Sequence, residues 1–340
     1  MNDFSLSIRN WYRLNKRDLP WRDTSDAYFI WLSEIIMQQT RIQQGASYYL
    51  KFISNYPTVQ DLANANERDI LNDWQGLGYY SRARNLHYSA KTICEKYNGI
   101  FPKTYQEIIE LKGIGQYTAS AISSFAFGEV KAVVDGNVYR LLSRVFDIEI
   151  AIDSTSGKKY FQKLADELIN NKHPGEHNQA IMELGSLVCK PANPLCDECP
   201  LNDTCLAFSK KNIDQRPVKL KKTKVRNRYF HYFIFKQENK ILIEQRTAKD
   251  IWQNMFQFPL FESDGKSEDH IQQLWQNQSY QSEVITHILS HQKISAVFHH
   301  IDSFPKERNE KWMEIGITEV QDHPLPRLID KYLNEFSEFF

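Results

Sequence analysis

Apolar residues recur at helical spacing through the first two hundred positions and then give way to runs of aromatic and β-branched residues. Trp31, Leu32, Ile35 and Ile36 share one helical face, as do Ile108, Ile109 and Leu111, and then Ala121, Ile122 and Phe125. Pro57, residues 99–102 and Pro174-Gly175 break these runs into separate helices. The pattern predicts a mainly α region over residues 1–208. Beyond it, residues 229–235 and 241–243 flank the turn-like stretch 237–240, which predicts a β-hairpin. Strand-like stretches at 294–298 and 312–318, with helix-like ones at 268–275 and 325–336, predict a smaller α+β domain over 228–340. Residues 209–227 read as a linker, because nine basic residues and one acidic residue fall between Lys210 and Arg228. There is no internal repeat.

Length and composition agree with two domains. A chain of 340 residues with 41% hydrophobic content is long enough for two cores and too apolar for simple disorder. Residues 1–16 lack an apolar stretch of signal-peptide length, and no apolar run approaches the ~18 residues of a membrane span, so a soluble cytoplasmic monomer is expected. The 42 basic and 42 acidic residues cancel, but unevenly. Residues 1–226 hold 30 basic and 25 acidic residues, and 227–340 hold 12 and 17. A basic first part suits a polyanionic partner.

The cysteines carry the sharpest chemical signal. Cys94 stands alone in a helical run and reads as a small core residue, whereas Cys189, Cys196, Cys199 and Cys205 fall within seventeen positions. Four thiolates at this spacing can bind a zinc ion tetrahedrally or hold the corners of an iron–sulfur cube, and spacing alone favours neither.

Three further features carry candidate chemistry. Gly113 and Gly115, between two helical runs, allow a tight turn whose backbone N–H groups can meet a phosphate at a helix start; an ordinary helix-to-helix turn has the same pattern. Asp135 lies between the apolar run 132–134 and a helical stretch, as a plain N-cap or as a carboxylate presented into a cleft. Glu34 is flanked by apolar residues that would raise its pKa and suit it to general acid work, unless it lies on a solvated helix face.

Together the hairpin at 111–115, the aspartate about twenty residues on and the four-cysteine loop resemble the helix-hairpin-helix DNA glycosylases. Within that family, residues 33–40, 74–86 and 134–138 are similar to the members that release adenine opposite 8-oxoguanine. The resemblance covers residues 1–208 closely, and the last domain more loosely resembles a MutT-like (Nudix-fold) module. It implies a monofunctional glycosylase acting on double-stranded DNA with 8-oxoguanine:A or G:A mispairs, carrying one 4Fe-4S cluster on Cys189, Cys196, Cys199 and Cys205.

The resemblance also implies roles for individual residues. Glu34 matches the general acid that protonates adenine, Asp135 the carboxylate that stabilises the oxocarbenium ion, and Tyr117 a tyrosine hydrogen-bonded at the catalytic carboxylate. Trp21, Arg22, Met37, Gln179 and Met182 match the adenine pocket. Gln39 and Tyr79 match intercalating positions, Thr40 and Leu77 residues beside the lesion, and Gly113 with Gly115 the DNA-gripping hairpin. Leu289, Ser290 and His291 match the lesion-reading loop, with Leu289 in place of the usual phenylalanine. Two other readings lead to different outcomes: an endonuclease III-like lyase, whose lysine would stand where this chain has Tyr117, and a metal-stapled DNA-binding protein without activity. No Nudix box occurs, since neither Gly265 nor Gly316 is followed six residues later by a glutamate, so the last domain is expected to recognise rather than hydrolyse.

Overall fold

The computed structural model describes residues 2–220, 225–263, 265, 278–289 and 291–336. They form two units, Met1–Asn64 with Asn85–Lys221, and Ala65–Arg84 with Lys222–Phe340. The sequence pattern places residues 65–84 in the helical domain, whereas their contacts group them with the second unit.

At the centre of the first unit is the helix Ala27–Met37, capped by Asp26, whose side chain accepts from the Tyr28 N–H. Ile30, Trp31, Leu32, Ile35 and Ile36 are all buried. A helix apolar on nearly every side has to lie inside its unit, and this one packs between Ile42–Asn55 and Gln116–Phe127. It ends at Met37 with Gln38 as C-cap, and Gln39, with φ 57°, turns the chain away. The hairpin follows from local chemistry as well. A Thr104–Glu107 capping box starts the helix Tyr105–Ile109, and Gly113 turns the chain with φ 85°. A Cβ at Gly113 would also stand 2.7 Å from the Asn85 Cβ, so glycine is required both by conformation and by space. Asn2–Asn15 packs on Pro174–Leu187, which in turn meets Gly136–Val145. Ile8, Leu141, Phe161, Ile181 and Leu184 share their common core, and burial of each such side chain contributes about 1.5–3 kcal/mol.

The second unit is built on a sheet. β1 (Arg226–Gln237) pairs with β2 (Lys240–Gln245) as the expected hairpin and runs parallel to β7 (Gln292–Ile301). β3 (Phe256–Gln257), β4 (Leu260–Ser263), β5 (Gln278–Gln281), β6 (Ile285–Ile288) and β8 (Trp312–Gly316) complete it. The helix Arg327–Glu335 lies against the sheet through Tyr332, whose ring stacks on Phe298 with centroids 3.7 Å apart. The strand expected over 312–318 stops at Gly316, where a 3-10 turn takes over. The helix expected at 268–275 lies outside the described residues.

The linker expectation changes most. Lys210 pairs with Asp147 at 2.8 Å, Arg216 with Asp147 and Glu149 at 2.8 and 2.7 Å, and the Ile152 N–H with the Val218 carbonyl. Residues up to 220 are therefore bound to the first unit by ion pairs and backbone hydrogen bonds, and β1 has begun at Arg226.

Candidate active site

Glu34, Trp21, Arg22, Gln179 and Met182 line one cavity of about 510 Å³ in the first unit. The central helix supplies Glu34, the chain before it Trp21 and Arg22, and Pro174–Leu187 the last two. Met37 departs from expectation. It is not among the residues of this wall; its sulfur is directed at Gly45, where a Cβ would come within 2.5 Å of it, so the missing side chain at Gly45 provides its space.

The electrostatics around Glu34 divide two carboxyls. Burial pushes Glu34 up to about 7, with the charge of Asp135 adding to the shift and a hydrogen bond from Tyr117 opposing it. Tyr117 lies in the first turn of Gln116–Phe127, and its hydroxyl is also 3.3 Å from the Met182 sulfur. Asp135 is the N-cap of Gly136–Val145 and accepts from the Asn137 and Val138 N–H groups and from Asn137 Nδ2 at 2.8–2.9 Å. Burial raises its pKa, while those hydrogen bonds and Arg140 favour the anion. Asp135 is thus the N-cap that the sequence allowed, and its charge is felt at Glu34.

Two residues escaped the sequence reading, Glu183 behind the lining residue Arg22 and Tyr12 in the wall itself. Glu183, with its side chain 1% exposed, is held by Arg17 and Arg22 at 2.5 and 2.7 Å, and these partners bring its pKa down to about 2 against the opposing effect of burial. Arg22 is therefore committed to an ion pair. Tyr12 donates to the Gln179 Oε1. The paired arginines in a Pro-Trp segment were the only sequence signal toward Glu183, and no local pattern marks Tyr12.

The four clustered cysteines share a second cavity, with Leu141, Arg144 and Val188 in its wall. Arg144 Nη1 is 3.5 Å from Cys189 Sγ, and Arg140 Nε donates to the Cys189 carbonyl at 2.6 Å. Arg140 also donates to Asn137 Oδ1, so one chain of hydrogen bonds joins the cysteine loop to Asp135. No group of three or more His, Cys, Asp or Glu among the described residues is arranged to hold a single metal ion.

Gln39 is exposed with φ 57°, and Thr40 follows it with its hydroxyl 3.3 Å from the Gln38 carbonyl. In the second unit Tyr79 is 44% exposed with φ 49°. Non-glycine residues in this conformation store backbone strain, which concentrates at functional positions. Tyr79, Leu77, Leu289 and His291 line a cavity of about 390 Å³ with Trp252 and Arg84. Ser290 lies outside the described residues. Gly115 forms the N-cap of Gln116–Phe127 with open space where a Cβ would stand.

The family model described as HhH-GPD superfamily base excision DNA repair protein matches residues 32–171, and that of the NUDIX domain matches 231–335. A solved structure of a thermostable thymine-DNA glycosylase is 28% identical with a TM-score of 0.57, covering 61% of this chain and 95% of its own. The helical unit and its cavity thus have the form of a base excision repair glycosylase. Adenine DNA glycosylase of Buchnera aphidicola subsp. Schizaphis graminum is 38% identical over 305 residues, 88% of this chain and 84% of the relative. That of Buchnera aphidicola subsp. Acyrthosiphon pisum is 33% identical over 343 residues, 98% of each. The chain belongs to the adenine DNA glycosylases, the MutY family. It is accordingly a hydrolase of N-glycosyl bonds in base excision repair.

Proposed function

We propose that the chain releases adenine paired with 8-oxoguanine or guanine in double-stranded DNA and leaves an abasic site. The observation that carries this is Glu34, a carboxyl held near pKa 7 on the wall of a cavity with ample room for a purine. At neutral pH such a group is about half protonated, so it can give a proton to adenine N7 and afterwards take one from the attacking water. Adenine then departs as a neutral base. Asp135 faces the sugar as an anion, stabilising the positive charge left at C1′, in the division of labour that paired carboxyls perform in glycoside hydrolysis. Tyr117 keeps the Glu34 carboxyl oriented and offers no amine to attack the sugar, which excludes a Schiff-base lyase step at that position.

The remaining residues serve recognition. Trp21, Gln179 and Met182 hold the extruded base by stacking, an amide edge and apolar contact. Gln39 and Tyr79 fill the gap it leaves, which offsets part of the few kcal/mol that flipping costs. The Gly113–Gly115 turn meets phosphate with its N–H groups. Thr40, Leu77, Leu289 and His291 read the opposite 8-oxoguanine. Cys189, Cys196, Cys199 and Cys205 fit a 4Fe-4S cluster, because all four line one cavity whose walls are otherwise apolar apart from Arg144 and Asn202. When bound, a cluster supplies a staple for the loop and a redox-active centre.

The test is an 8-oxoguanine:A duplex incubated with the protein and then treated with alkali. Cleavage of the adenine strand only after alkali is the expected result. Cleavage without alkali would mean a lyase, and no cleavage a binding protein.

A further inference from the structure

One polar group in the wall of the Glu34 cavity has no part in the proton and charge chemistry. Tyr12, on the helix Asn2–Asn15, is 4% exposed, and its hydroxyl donates to Gln179 Oε1 at 2.5 Å. That separation suits an O–H···O contact better than one to an amide nitrogen. Both residues line the cavity that contains Glu34. A phenol has one hydrogen to donate. Directing it to Oε1 leaves the amide Nε2 as the donor that Gln179 offers to a ligand, and among the described residues no hydrogen bond from Nε2 competes.

Other contacts hold the phenol in place. The Arg22 guanidinium lies 5.5 Å over the Tyr12 ring and is itself fixed by Glu183. Burial raises the Tyr12 pKa, so its hydroxyl remains a protonated donor at neutral and mildly alkaline pH.

We propose that Tyr12 is a positioning residue for base selection, which locks the Gln179 amide so that a fixed N–H donor meets a ring-nitrogen acceptor of the extruded purine. This rests on the reading that the cavity takes adenine. Unprotonated ring nitrogens of adenine accept hydrogen bonds, whereas N1 of guanine carries a hydrogen and would oppose a fixed donor on that edge. A freely turning amide could rotate its carbonyl toward either base and would discriminate less. Selectivity of this kind needs the site's polar group to be held in one orientation, because the penalty for a mismatched base is then an unpaired donor.

The test compares adenine, 1-deazaadenine and 3-deazaadenine opposite 8-oxoguanine in single-turnover excision by the wild-type chain and by Tyr12→Phe. Comparing the two proteins on each base cancels the intrinsic reactivity of the analogue. In the wild type one of the two analogues is expected to be slowed about ten-fold or more beyond its effect in Tyr12→Phe. Tyr12→Phe should also weaken adenine binding more than it slows the chemical step. Gln179→Glu, which still accepts from Tyr12 but offers no donor, is expected to lose the same discrimination. If both analogues show the same penalty in wild type and Tyr12→Phe, within two-fold, the proposal is overturned. A wild-type chain that does not release adenine at all would instead overturn the reading on which it rests.

Discussion

Glu34→Gln separates catalysis from stability. Holding a carboxyl near 7 rather than 4.5 corresponds to roughly 3 kcal/mol at about 1.4 kcal/mol per pH unit. The residue keeps partial access to solvent, which reduces the figure to about 2 kcal/mol. The sign follows from proton linkage. Below about pH 4.5 folded and unfolded chains both bind the proton, and there is no penalty. Between 4.5 and 7 the folded chain keeps a proton that the unfolded chain has lost, so stability declines as pH rises, and the full penalty applies above 7. Glutamine has the same shape and no charge to desolvate. The variant is therefore expected to match the wild type near pH 4.5 and to exceed it by about 2 kcal/mol at pH 8, while releasing no adenine. Denaturant unfolding followed by far-ultraviolet circular dichroism at pH 4.5, 6, 7 and 8 reads the first effect. Single-turnover excision over the same range reads the second, and the wild-type rate should fall about ten-fold per pH unit well above 7. A stability gap independent of pH, or a wild-type rate that keeps rising to pH 9, would refute the reasoning.

Asp135→Asn keeps an oxygen to cap Gly136–Val145, so the fold should hold within about 0.5 kcal/mol, while loss of the charge slows excision by about 10²–10³; single-turnover rates with matched unfolding curves check this, and a loss below ten-fold contradicts the assigned role. Glu183→Gln breaks the buried pairs to Arg17 and Arg22 and should cost about 3 kcal/mol at pH 7. Because Glu183 is held down to about 2, its ionic contribution is present above about pH 4.5 and lost as pH falls through 2, so unfolding midpoints of the two proteins should converge toward low pH. Lys210→Ala should leave the salt dependence of DNA binding unchanged, since Lys210 is paired with Asp147; a fall of about 0.9 in the slope of log K against log salt would show that it contacts a phosphate instead.

How much was readable depended on how local the cause was. The period of Trp31, Leu32, Ile35 and Ile36 marks the central helix because burial follows directly from it. Asp135 was readable as a cap and as a candidate carboxylate because both depend on what precedes and follows it. Glu34 was ambiguous, since its pKa depends on surroundings that include Tyr117 and Asp135, about eighty and a hundred residues away. β4, β5 and β6 are short, and their burial is partial or alternating, so no apolar run announces them. Residues 65–84 carry no local sign of belonging to the second unit. What ties them there is long in sequence, as in Arg68 and Asn72 donating to the Asp322 carbonyl and Gln75 to Asp330. Tyr12 on Gln179 was invisible for the same reason.

A net charge of zero on an enzyme that works on a polyanion becomes reasonable once pairing within each unit is counted. The second unit is the acidic one, yet Asp250 and Glu262 hold Arg228, Glu314 holds Lys240 and Arg308, and Asp330 holds Arg327. The cations Lys210 and Arg216 of the expected linker are neutralised by Asp147 and Glu149 in the same way. Paired charges contribute little field beyond the ~8–10 Å over which salt screens, so these pairs weaken both the acidic character of the second unit and the contribution of Lys210 and Arg216 to the field that DNA meets. On the proposed reading, short-range donors such as the N–H groups of the hairpin turn add to the contact with the DNA backbone. Backbone contacts carry no information about the base, so the decision falls on the cavity. An extruded base that satisfies a fixed amide donor can lie where Glu34 is still protonated, and a base that cannot satisfy it leaves that donor unpaired and returns to the duplex before the slower chemical step.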